Sequence, residues 1–63
     1  METLCTIICI NPNFAKDRLV ETSVPLKEAI DYADRNPGKW PIVRVYAETN
    51  NGATLTLIYQ PTP

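Results

Sequence analysis

The chain has no histidine, only two cysteines and two glycines, and no excess of either charge, with six basic against seven acidic side chains. Each shortage removes a class of mechanism. Without histidine, the side chain that most often serves as general base near neutral pH is missing, and no Cys/His pair can activate a thiol. Cys5 and Cys9 alone cannot complete a zinc cage. Gly38 and Gly52 stand too far apart for a glycine-rich phosphate loop. The first apolar run ends at Ile10, well short of the ~20 residues of a membrane span, and Met1-Glu2-Thr3 lacks the basic segment of a signal peptide. Basic residues are scattered over loop, helix and strand, whereas affinity for a nucleic-acid backbone needs them clustered. The expectation is a protein that is not an enzyme, holds no metal or cofactor, has no membrane partner and is disfavoured as a nucleic-acid binder.

The second constraint is size. Sixty-three residues make one domain, 1–63, with 61–63 expected as a frayed C-terminal tail. Domains of this size hide only about 60% of their unfolded surface and are marginal, and the usual staples of small folds are a disulfide, a metal or a second chain. Cys5 and Cys9 share one extended run, which sets their α-carbons roughly 13 Å apart at strand spacing. A disulfide tolerates about 7 Å. Oligomerisation is the staple that remains, and two reduced thiols fit a cytoplasmic compartment.

What is present reads as β-β-α-β-β. Leu4 to Ile10 is almost continuously apolar and rich in β-branched residues, the pattern of a strand covered on both faces. Asn11-Pro12-Asn13 ends it, and Phe14 is expected to tuck the next loop onto the core. Arg18 to Val24 alternates weakly and carries flanking charges, which suits an edge strand. From Pro25 the period becomes helical: Leu26, Ala29, Ile30 and Ala33 form one stripe, with Lys27, Glu28, Asp31, Asp34 and Arg35 opposite. Proline at the first helical position and Asn36-Pro37-Gly38 past the end bound the helix. The fold class is α+β, a four-stranded, mainly antiparallel sheet with one helix packed on one face.

The last third is a hairpin whose register can be argued. A two-residue turn at Asn51-Gly52 places Val43, Val45 and Ala47 on one face and Leu55, Leu57 and Tyr59 on the other, leaving both half apolar. A three-residue loop, Asn50-Asn51-Gly52, pairs Ala47 with Leu55, Val45 with Leu57 and Val43 with Tyr59, giving one apolar face for the helix. The three-residue loop is therefore expected, with Gly52 in the left-handed region; a pairing of 48 with 55 would refute it.

That register leaves the opposite face with Trp40, Ile42, Arg44, Tyr46 and Glu48 beside Thr54, Thr56, Ile58 and Gln60. Aromatic and aliphatic anchors around a single arginine have the composition of protein–protein hot spots. Trp40, Ile42, Arg44, Tyr46 and Ile58 are the candidate interface residues, for self-association as a homodimer and for an unidentified partner protein. A chain of this size, starting at its own methionine with no catalytic set, has the look of a small accessory or inhibitor protein, such as those viruses encode. The alternative is a sequestering protein that holds a small anionic or nucleotide ligand between subunits, with Lys39, Trp40 and Arg44 supplying charge and a stacking face. A third reading stacks single-stranded nucleic acid on Trp40 and Tyr46. The acidic residues of the helix read as its solvated side, and the thiols as core packing.

Overall fold

The computed structural model describes residues 3–13, 18–35 and 40–61. Five elements follow the expected order: β1 (Leu4–Ile10), β2 (Arg18–Pro25), α1 (Leu26–Asp34), β3 (Ile42–Thr49) and β4 (Thr54–Tyr59). The strands form one sheet in the order β2-β1-β3-β4, every neighbouring pair antiparallel. β1 is antiparallel to both β2 and β3, so these two run parallel to each other. Parallel strands cannot be joined by a tight turn; α1 supplies the crossover. The fold class is α+β, as the sequence reads.

The position of β1 explains its composition. A central strand is covered by ladder partners on both edges, and here the helix covers one face as well. Cys5, Ile7 and Cys9 point under α1 and are essentially buried, beside Val43 and Val45 of β3. The register sets Ile7 against Val45 and Cys9 against Val43. From above, α1 closes this layer with Ala29 and Ala33, its two buried residues. Leu19, Val24, Leu26, Tyr32, Trp40 and Tyr59 ring the cluster.

Pro25 is the N-cap residue, one position before the first helical residue. No side chain caps the helix. Instead the Leu26 amide donates to the carbonyl of Thr3 at 3.0 Å, so one otherwise unpaired donor of the first turn is tied to the start of β1. The stop signal at Asn36-Pro37-Gly38 and the expected core contact of Phe14 lie outside the described residues. Pro61 is half-buried, and the rest of the expected tail, 62–63, also lies outside.

Two expectations about strand faces are overturned. In the hairpin, Thr49 pairs with Thr54, Glu48 with Leu55, Ala47 with Thr56 and Tyr46 with Leu57. The pairing of 48 with 55 excludes the three-residue loop. The connection is a four-residue loop, 50–53, closed by Gly52 N–H to the Thr49 carbonyl and Ala53 N–H to the Asn50 carbonyl, both 3.1 Å. Asn50 (φ 53°), Asn51 (φ 57°) and Gly52 (φ 86°) are all left-handed, a run that asparagine and glycine tolerate best. The register then shifts between Val45 and Tyr46, where Val45 meets Tyr59 and Ile58 is left without a partner, a β-bulge.

The physical reason is the reach of the helix. α1 packs on β1, β2 and β3 and meets β4 at its end, through Tyr59, while the stretch with Leu55 and Leu57 runs along the sheet edge. Turning Leu55 and Leu57 toward the helix side would gain no cover there.

The second correction is in β2. Simple alternation puts Val20, Thr22 and Val24 on one side and Leu19 on the other. A register shift opposite Thr6, with Ser23 at φ 56°, breaks the alternation. Leu19 and Val24 therefore both reach the core, while Val20, paired with Ile8, faces away.

Candidate functional site

The face away from α1 is the most distinctive surface of the molecule. Alternation along β1 and β3 brings Ile8, Ile10, Ile42, Arg44 and Tyr46 to it, with Ile8 opposite Arg44 and Ile10 opposite Ile42. Leu57 lies opposite Tyr46 and Leu55 opposite Glu48, so β4 extends the same face. Val20 extends it on the other flank. Val20 is 51% exposed, Leu55 43% and Leu57 47%, values that mark an apolar layer with no cover from the described residues. A shallow depression of about 370 Å³, open to solvent and lined by Thr6, Ile8, Val20, Thr22, Glu48 and Leu55 together with Ser23 and the hairpin loop at Asn51 and Gly52, lies at one end of it.

Of the five residues expected to form the interface, Ile42, Arg44 and Tyr46 stand together here. Trp40 does not, because it packs against the core cluster on the helix side. Ile58 is the unpaired bulge residue, 44% exposed. Thr56 belongs with Ala47 on the helix side, opposite to expectation. The residues that pattern reading missed, Leu55, Leu57 and Val20, take the vacated places; the two-residue-turn register already placed the leucines there. The ligand site expected from Lys39, Trp40 and Arg44 does not assemble within one chain: Trp40 and Arg44 occupy opposite sides of the sheet. Lys39 lies outside the described residues. The same separation removes the paired stacking platform of Trp40 and Tyr46.

One polar constellation organises the sheet end beside this face. Glu48 Oε2 accepts from Thr6 Oγ1 at 2.7 Å and from the Ser23 amide at 2.8 Å. A single carboxylate oxygen on β3 thus reaches across β1 to the bulged backbone of β2. The amide that Ser23 turns out of the ladder finds its acceptor there, which accounts for the left-handed backbone. Thr6, buried, finds its partner at the same atom. The Ser23 amide, with the Thr6 hydroxyl second, holds the Glu48 carboxyl below its ordinary value of 4.5.

This makes Glu48 a source of acid sensitivity. A carboxylate whose pKa is lower folded than unfolded contributes stability that is full above the unfolded pKa and is lost as pH falls through the folded one. Stability of the wild-type chain is expected to decline as the solution is acidified from about pH 4.5. Glu48→Gln, which cannot ionise, should be less stable at pH 7 and show a shallower decline. Urea titrations at pH 7, 4.5 and 3 measure both slopes; parallel curves would remove Glu48 from the account.

The thiols are closed off. Cys5 and Cys9 are free and buried, and burial pushes both above the ordinary thiol value. Burial likewise raises the Tyr32 phenol, which lies beside Cys9. Tyr59 donates from its hydroxyl to Asp34, tying the end of β4 to α1, and that bond holds its phenol up. Among the described residues no group of three or more His, Cys, Asp or Glu side chains is placed to hold a metal ion, and no helix is long and apolar enough to cross a membrane.

Compared with protein-family models, with curated proteins and with solved structures, the chain gives no significant match to any.

Proposed function

We propose that the chain is a small non-enzymatic binding protein of accessory or inhibitor type, which works as a homodimer and acts by laying its open sheet face on a partner protein. The observation that carries this reading is the uncovered apolar face: Val20, Leu55 and Leu57 exposed around half-buried Ile8, Ile42 and Tyr46, with Arg44 among them. Monomeric proteins rarely leave contiguous apolar patches of this kind on their surface. An aromatic side chain and an arginine within an aliphatic field supply the residue types that dominate binding energy. Two free, buried thiols agree with a reducing, cytoplasmic setting.

The test is a comparison of two folded proteins. Tyr46→Asp puts a charge in the middle of the face while leaving the helix side intact. The wild-type chain, immobilised, is expected to retain a specific protein that Tyr46→Asp at the same melting temperature binds about 30-fold more weakly, the loss of one hot-spot residue. Equal retention by both would sink the proposed face.

A further inference from the structure

The two edges of the sheet are built differently. β2 is guarded in the ways natural edge strands are: it carries Arg18 and Glu21, a bulge with left-handed Ser23, and Pro25 at its end. β4 is less guarded: its one irregularity, the bulge at Ile58, lies next to its C-terminal end. Its sequence, Thr54-Leu55-Thr56-Leu57-Ile58-Tyr59, contains no charge and no proline, and all but Tyr59 are exposed. An uncharged, apolar, open edge presents a row of unpaired amides and carbonyls, which is a template for another strand.

We infer that the occupant of this edge is β4 of a second copy of the chain, paired antiparallel about a two-fold axis, so that two four-stranded sheets become one of eight strands. The inference rests on the reading of the chain as a homodimer and specifies how the dimer is made. The sequence of β4 is self-complementary in one register that pairs the strand from Thr54 to Ile58. With the axis at Thr56, Thr56 faces its own copy, each Leu55 faces Leu57 of the second copy and each Thr54 faces Ile58. Directly opposed residues of an antiparallel pair share a face, and this register keeps both leucines on the open side and both threonines on the helix side. Moving the axis to Leu57 would oppose Leu55 to Tyr59, which point to opposite sides. Leucine–leucine and threonine–threonine pairs are among the favourable cross-strand partners. At a net charge of −1 per chain, repulsion between copies is small. The join also makes the two open faces continuous, doubling the surface presented to the partner protein. An interface of one strand pair is at the small end of specific contacts, so micromolar rather than nanomolar association is expected.

Thr56 is exposed, so the axis can be altered without disturbing the core. Sedimentation at 100 μM should show a wild-type dimer. Thr56→Lys and Thr56→Glu, which oppose like charges across the axis, should each dissociate about tenfold more readily or worse, and their equimolar mixture should restore the dimer. Thr56→Cys should form a covalent dimer on mild oxidation, since opposed α-carbons in such a ladder lie about 4.5–5.5 Å apart, within disulfide reach. A wild-type monomer would overturn both the edge pairing and the homodimer, leaving the partner face standing. A wild-type dimer that persists in Thr56→Lys, or a Thr56→Cys protein that does not cross-link, would overturn the edge pairing alone.

Discussion

Ile7→Ala is expected to lower the unfolding free energy by about 2–5 kcal/mol, the cost of truncating a well-packed aliphatic side chain. Ile7 is 2% exposed and sits at the middle of the layer covered by α1, with Val45 opposite on β3 and the alanines of α1 above. Its weight comes from the size of the chain. At about 0.05–0.15 kcal/mol per residue, a domain of this length has roughly 3–9 kcal/mol in all, so the substitution removes a large share of it. The adjacent Ile8→Ala is the control: that side chain is half-buried on the open face and should cost clearly less. Urea denaturation followed by tryptophan fluorescence reads both, at one fixed protein concentration because dimerisation adds a mass-action contribution. A cost below 1 kcal/mol for Ile7→Ala would mean that the layer under α1 collapses to fill the space and is not the rigid core described.

The contrast between Ile7 and Ile8 shows which parts of the fold can be read from sequence. β1 was legible as a strand from its almost continuously apolar run, but the cover expected on both faces is found among the described residues only under α1, and Ile8 and Ile10 stay half-buried on the open side; β2 was legible as an edge because charges at Arg18 and Glu21 suit one. The stripe of α1 was legible from its spacing, although only its alanines are fully buried. Face assignments at the two irregular places were not. Asn50-Asn51-Gly52 is compatible with loops of two, three or four residues, and local chemistry does not choose among them. The choice depends on which strands the helix covers, a tertiary property, and α1 meets β4 at its end, Tyr59, past Leu55 and Leu57. The bulge at Ser23 answers to Glu48, 25 residues further along the chain. Alternation extended backward past Pro41 puts Trp40 on the open face, but β3 starts only at Ile42. Of the candidate site, Ile42, Arg44 and Tyr46 were legible because regular alternation holds along β3, and Leu55 and Leu57 were lost with the hairpin register.

Ala29→Leu is expected to destabilise by about 1–3 kcal/mol, from overfilling rather than emptying the same layer. Ala29 is 0% exposed and Ala33, one turn on, 4% exposed, so the helix meets the sheet through methyl groups with no room for three further carbons. The helix is held at both ends, by the Leu26 amide on the Thr3 carbonyl and by Asp34 accepting from Tyr59. It cannot rise off the sheet to admit leucine without straining one of these ties. For a domain this small, each kcal/mol lowers the melting temperature by about 4–8 °C, so the effect is large in a thermal scan. Ile30→Leu, a volume-conserving change at a half-buried position, should cost little by comparison. Because Ala29 lies on the side of the sheet away from Tyr46 and Leu57, the variant should keep the wild-type oligomeric state at temperatures where it remains folded. Loss of the dimer in a folded Ala29→Leu protein would show that the two sides of the sheet are mechanically coupled, since nothing in the packing places that residue near the other face.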